Sequence, residues 1–373
     1  MLNIKDEKKV EYLELVYDLI FVYIIGRNNS LLHYIENGFV KPEVFLAYIL
    51  CTLAAIQIWN FTTFYINIYG RNGIRDHIFL FINMYLLYYM ADGTSVHWQS
   101  SVNRYSIAWA LILINIAIQH VIELKNHKNA FWELTQLKRK AFIIFTEAAL
   151  VFLHLIVYNL SGVSIAYVPI LFGIIATALS GRINALVPVD FAHLSERAML
   201  YVVFTFGEMI ISLASYFDGD LGFNTLYFSG CAFLIVAGLL LSYGYMYNKM
   251  LDRLITTNGT GYMMIHVFLI FALNNISVAL EFMRDEKVSL LHKTVFLTVS
   301  FLIYFICLFL TGIYAKKRCE FDKKFVALLV VAALCFVILM IAFRSIMYIN
   351  IAISVLFVFG IFMLLTFKGE KVK

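Results

Sequence analysis

Two stretches of the chain place carboxylates among apolar residues. The first is residues 11–23, Glu-Tyr-Leu-Glu-Leu-Val-Tyr-Asp-Leu-Ile-Phe-Val-Tyr, in which Glu11, Glu14 and Asp18 stand at i, i+3 and i+7. On a helix these three fall along one stripe. The second is residues 196–212, where Glu208 sits inside an apolar run. A carboxylate at membrane depth must protonate, pair with a cation or face water, because hydrocarbon solvates it at a cost of a few kcal/mol or more. Those responses are the chemistry of a proton or coupling-ion site, for which Glu14, Asp18 and Glu208 are the candidates. Counted from positions 10 and 196 at 1.5 Å per residue, Asp18 lies roughly 12 Å and Glu208 roughly 18 Å into a core about 30 Å thick, with Glu14 one turn shallower.

A second set of polar residues opens the later stretch. His193, Glu196 and Arg197 stand at its start, and Arg197 is eleven residues from Glu208. That spacing is about three turns, so the two share a face but are too far apart to bond. Arg197 is expected to reach back to Glu11 or Glu14. With His193 and Glu196 they form either an inner gate or an interfacial salt bridge that pins the helix end. Glu147 and His154, seven apart, share a helix face and suggest a secondary polar path. His266, Asn274 and Asn275 predict interhelical hydrogen bonds. His120 and Glu123 are expected to snorkel at a helix end, and Glu281 and Arg284 to form an interfacial pair. Gly26-Arg27-Asn28-Asn29-Ser30 reads as an unwound outer vestibule or a simple helix end.

The elements that must hold these groups are membrane helices. Apolar residues make up 62% of the 373 residues and charged residues only 14%, against about half and a quarter in soluble domains. Windows near 10–34, 43–69, 76–93, 104–123, 139–159, 163–181, 196–216, 223–248, 260–283, 289–315, 324–343 and 346–367 are each about long enough to span. The expected fold is therefore all-α and polytopic, a single transmembrane domain of about twelve helices, with possible halves 1–190 and 191–373.

Basic residues test that layout. With twelve spans and a cytoplasmic N-terminus, only Arg27, Lys41, Arg104, Arg284, Lys287, Lys293 and Arg344 of the 29 Lys and Arg residues fall outside. The inside flanks hold the rest, including Lys5, the runs 125–140 and 316–324, and the lysines near the end, Lys368, Lys371 and Lys373. This bias predicts that both termini are cytoplasmic. It also explains the net charge of +5 without nucleic acid. The acidic first span makes a poor cleavable signal and is expected to stay as an anchor. Five scattered cysteines and the lack of close His, Cys or carboxylate sets predict neither disulfides nor a metal, and no cofactor motif is present.

The same residues resemble the bacterial low temperature requirement A family (LtrA). That family opens with a Glu-Leu-Phe-Phe-Asp-Leu-Val-Phe-Val type of helix, matched here by Glu14-Leu-Val-Tyr-Asp18-Leu-Ile-Phe-Val22. It also carries His-x-x-Glu-Arg followed by Gly-Glu in the next helix, matched by His193, Glu196, Arg197, Gly207 and Glu208. Arg71 and Arg75 fit its basic loop. The likeness covers roughly residues 8–215. Val16 and Tyr17 replace the paired phenylalanines, Arg27-Asn28-Asn29 replaces a small polar stretch, and Ala198 and Met199 stand where the family often has Gly and His. The resemblance implies a many-helix protein of the bacterial cytoplasmic membrane, linked by name to growth in the cold.

Taken together, these features predict a proton- or ion-coupled transporter of a small solute, not an enzyme, with membrane lipid as its surroundings. Two rivals differ in class. An integral-membrane enzyme acting on lipid or a lipid-linked substrate would cluster its His and acids at one headgroup level. A sensor or scaffold would use the acids for packing alone.

Overall fold

The computed structural model describes residues 8–94, 98–217 and 222–370; Lys5, Lys371 and Lys373 of the basic flanks lie outside them. The described residues form thirteen α-helices: α1 (Tyr12–Asn29), α2 (Pro42–Tyr69), α3 (Ile74–Asp92), α4 (Trp98–Glu123), α5 (Phe131–Ser161), α6 (Tyr167–Leu179), α7 (Gly181–Leu186), α8 (Phe191–Ser212), α9 (Phe223–Tyr245), α10 (Thr260–Phe282), α11 (Leu290–Leu310), α12 (Lys323–Ala342) and α13 (Met347–Glu370). Every predicted window falls on a helix. Nine of the described helices, α2, α4, α5 and α8 to α13, are long and apolar enough to cross a membrane. The others depart for visible reasons. α1 carries Glu14, Asp18 and Arg27, α3 carries Arg75, Asp76 and Asp92, and α6 has 13 residues, about 20 Å of helix. The fold is therefore all-α and multi-pass.

Within the described residues the chain divides into two compact units. The first takes residues up to Tyr34, Pro42–Tyr201 and Leu254–Met263; the second takes Ile35–Lys41, Val202–Arg253 and residues from Met264 on. In the first unit α4 packs along α3 and α5, while α1 packs on α2 and α3. α1 is built inside out: Leu13, Glu14, Tyr17, Asp18, Phe21, Ile24 and Ile25 are buried, whereas Tyr12, Val16, Leu19 and Tyr23 are exposed. A 3.6-residue period thus turns the carboxylates inward and an aromatic-aliphatic face outward.

α1 does not unwind at Gly26. It stays helical through Asn29 and passes into a short 3₁₀ turn, Ser30–His33. Asn28 is fully buried; its Nδ2 donates to Thr52 Oγ1 (3.4 Å) and its Oδ1 accepts from Thr94 Oγ1 (3.1 Å). Those partners keep the polar segment helical, so it is not an opened vestibule.

In the second unit α9 packs along α13, and α12 joins α11 and α13. A two-residue hairpin pairs Ile35–Glu36 with Phe39–Val40, turned by Asn37 and Gly38 at φ of 53° and 84°. Asn-Gly suits such a turn, which needs positive φ at both positions. The Gly38 carbonyl accepts the Ser289 N–H (2.8 Å) at the start of α11, whose Ser289 Oγ in turn caps His292 N. His266 of α10 meets Tyr243 of α9 at 3.0 Å, an interhelical bond of the kind the sequence predicts.

Candidate functional site: a buried ion cluster under a polar cavity

Asp190 starts α8 as its cap: its Oδ1 accepts the His193 N–H at 3.1 Å, after Pro188 has stopped the preceding chain from continuing as helix. Asn67, near the end of α2, grips this cap from both sides. Its Oδ1 accepts the Asp190 N–H (3.0 Å) and its Nδ2 donates to the Asp190 carbonyl (2.8 Å). The two bonds fix the orientation of the amide, so Nδ2 is also the atom 3.0 Å from His193 Nδ1. Nδ1 therefore accepts, and the imidazole proton sits on Nε2. Nε2 is 3.4 Å from Glu14 Oε2.

One turn further along α8, Arg197 is fully buried. Its Nη1 lies 3.2 Å from Glu14 Oε2, and its Nη2 donates to Asp18 Oδ1. Asp18 Oδ1 also accepts the Trp59 indole N–H of α2 at 2.8 Å. Rings close the site: Trp59 stacks obliquely on Tyr201 with centroids 4.6 Å apart, and Phe21 lies 6.3 Å from Tyr201. Tyr17, one residue before Asp18, shares a hydroxyl bond with Thr62 (3.0 Å). Glu14, Asp18, His193 and Arg197 are each less than 5% exposed. Two carboxylates thus share one guanidinium, and a His in the neutral tautomer faces them. With both carboxylates ionised the four side chains carry one negative charge in excess, in a place that solvates charge poorly, with the Lys8 ammonium acting on Glu14 from the cavity side.

Arg197 thus reaches Glu14, one of the two carboxylates expected for it, and His193 joins it there; its second partner is Asp18, and it is fully buried. Glu11 is half-buried and Glu196 is half-buried, and neither joins these pairs among the described residues. Glu208 belongs to the second unit, half-buried, where its charged neighbour is Glu281. Arg284 donates to the Tyr216 carbonyl (2.6 Å) and lies over the Tyr216 ring.

Above the cluster lies a cavity of about 410 Å³ between the start of α1, the end of α2 and the start of α3. Glu14 is part of its wall, together with Lys8, Lys9, Glu11, Arg71 and Asp76. Lys8 is spent on structure. Its ammonium donates to the last carbonyls of α2, those of Ile66 and Gly70 (2.8 Å for the latter), as a cation at a helix C-terminus should. Burial lowers its pKa, and the carboxylates of Glu14, Asp76 and Asp190 pull the other way.

The loop from Gly70 to Gly73 forms the outer edge. Asn72 adopts φ of 51°, and the Arg71 N–H donates to Asp76 Oδ2 (2.8 Å). Glu123 at the end of α4 anchors that loop. It does not snorkel: it is fully buried, 2.6 Å from Arg75 Nη1, 3.2 Å from Arg71 Nη2 and 3.3 Å from His127 Nε2. His120 is likewise buried, its Nδ1 2.9 Å from the Ile116 carbonyl.

Glu147 and His154 are both fully buried on α5 but in separate settings. Glu147 Oε2 accepts from Gln57 Nε2 (3.2 Å), and His154 Nδ1 accepts the Ile165 N–H (3.2 Å). The α6 backbone crosses the first pair so closely that a Cβ at Gly173 would lie 1.9 Å from Gln57 Nε2 and 2.2 Å from Glu147 Oε2. Sequence reasoning missed Trp59, Asn67, Asp190 and the loop-anchoring role of Glu123. Only Asp190, a helix-capping type just after a proline, left a readable signal.

The family model of the bacterial low temperature requirement A protein (LtrA) matches residues 9–360, well beyond the stretch that carries the two motifs. No curated protein and no protein of solved structure matches the chain. The chain belongs to the LtrA family.

Proposed function

We propose that this LtrA-family protein is a proton- or cation-coupled transporter of a small solute in the bacterial cytoplasmic membrane. In this reading Glu14, Asp18, Arg197 and His193 form the coupling site. The observation that supports it most is the charge balance of the buried cluster beneath an open polar cavity. One proton or one monovalent cation offsets that excess negative charge, and Glu14 links the cavity wall to Arg197 and Asp18. Uptake at Glu14 weakens its hold on Arg197 and His193. The guanidinium then rests on Asp18 alone, and α1 and α8 gain a second arrangement, as alternating access requires. Trp59 and Asn67 position the two ends of the cluster.

The twelve predicted segments, including α1, α3 and the short α6, act as twelve crossings in this account, with both termini cytoplasmic. The cavity then opens to the cytoplasm. The test is internal pH in proteoliposomes of the purified chain under an imposed potential, with and without a panel of small solutes. A pH change above that of protein-free vesicles is expected. No change with any member of the panel, and no electrical current either, overturns the reading.

A further inference from the structure

The charges around the cavity divide into those already engaged and those still open. Lys8 holds the α2 carbonyls, Arg71 holds Glu123, Asp76 takes the Arg71 N–H and the Arg75 guanidinium, and Glu14 takes Arg197. Among the described residues, Lys9 and Glu11 line the cavity without an ion pair or hydrogen bond from their side chains. One is an ammonium and the other a carboxylate. They sit two residues apart where the chain enters α1, Lys9 exposed and Glu11 half-buried.

The first turn of α1 lines the space through Glu11, Leu13 and Glu14, and α3 enters it through Asp76 and His77. The cap residues of the two helices, Glu11 and Gly73, make no side-chain cap bond. Their first-turn N–H groups favour the anionic end of a ligand. A volume of about 410 Å³ is enough for a small solute, and charged side chains rather than apolar ones make up much of its wall.

We propose that this cavity is a binding site for a small zwitterion. Its carboxylate meets Lys9 and the uncapped amides, and its ammonium meets Glu11, with Glu14 one turn below. A solute bearing one charge alone leaves either Lys9 or Glu11 without a counter-charge, so the site discriminates by the pair. The proposal names the solute class for the transport reading and rests on that reading for every step after binding. Binding itself can be read without a gradient.

The test is binding to the detergent-purified full chain, by calorimetry and by thermal shift. The probes are glycine and β-alanine, with propionate and propylamine as single-charge controls. Saturable binding of a zwitterion is expected, with neither control competing. Lys9→Gln and Glu11→Gln should each weaken it about tenfold or more, the loss of one charge-assisted contact. Both changes are at half-buried or exposed positions, so the variants should keep the wild-type melting temperature. Binding of neither zwitterion, equal binding of a control, or unchanged affinity in both variants overturns the proposal. If zwitterions bind but no proton or cation moves with them, the site stands and the coupling reading falls.

Discussion

At the scale of single residues, the cluster works because no member is satisfied alone. Arg197 is a buried guanidinium between two carboxylates, and removing it strands both. Arg197→Gln should therefore destabilise the protein by about 3–5 kcal/mol. Asp18→Asn should cost less, because Glu14 still faces Arg197 and an amide oxygen can still accept from Trp59. In the double variant the loss should be clearly smaller than the sum, which chemical denaturation in detergent can measure as a coupling energy. Additive losses would show that the pair does not interact.

Asn67 gives a finer prediction. With Asn67→Leu, His193 Nδ1 loses its donor, so nitrogen resonances should change from a single Nε2–H tautomer to a mixture. Legibility at this scale tracks cost. Glu14, Asp18 and Arg197 are visible in sequence because charge in an apolar run is expensive and rare. Trp59 and Asn67 are ordinary in membrane helices, and only the fold shows that they touch the charges.

At the scale of elements, two junctions set the site's geometry. Glu123 ties the loop before α3 to the end of α4 through Arg71 and Arg75. Glu123→Gln should loosen the cavity's edge, seen as faster hydrogen exchange at residues 70–73 while exchange within α4 stays slow. An unchanged loop would mean that its hydrogen bonds to Asp76 suffice. The other junction is Gly173, where α6 crosses Gln57 and Glu147. Gly173→Ala should cost about 1–3 kcal/mol through forced displacement, and pairing it with Gln57→Ala should recover part of that loss. The helices themselves were readable from apolar length alone. Their inner contacts are not: hydropathy marks Glu123 as a helix-end residue but cannot register that Arg71, from the loop before α3, and Arg75, from the first turn of α3, meet it there some fifty positions away.

At the scale of the molecule, the chain is a multi-pass helical membrane protein of the LtrA family, and the topology proposed for it rests on its basic flanks. Reporter fusions within residues 125–140 and 316–324 should both report the cytoplasm, whereas one near Lys287 should report the outside. Apolar windows make the helices legible, and each window falls on one. Glu208 and Asp18 share a sequence character but fall in different units. The account stands or falls on Asp18. Potential-driven proton or cation flux in proteoliposomes should be present for the wild type and absent for Asp18→Asn, with both proteins folded and each unfolding in one cooperative transition. A folded Asp18→Asn protein that carries wild-type flux would contradict it.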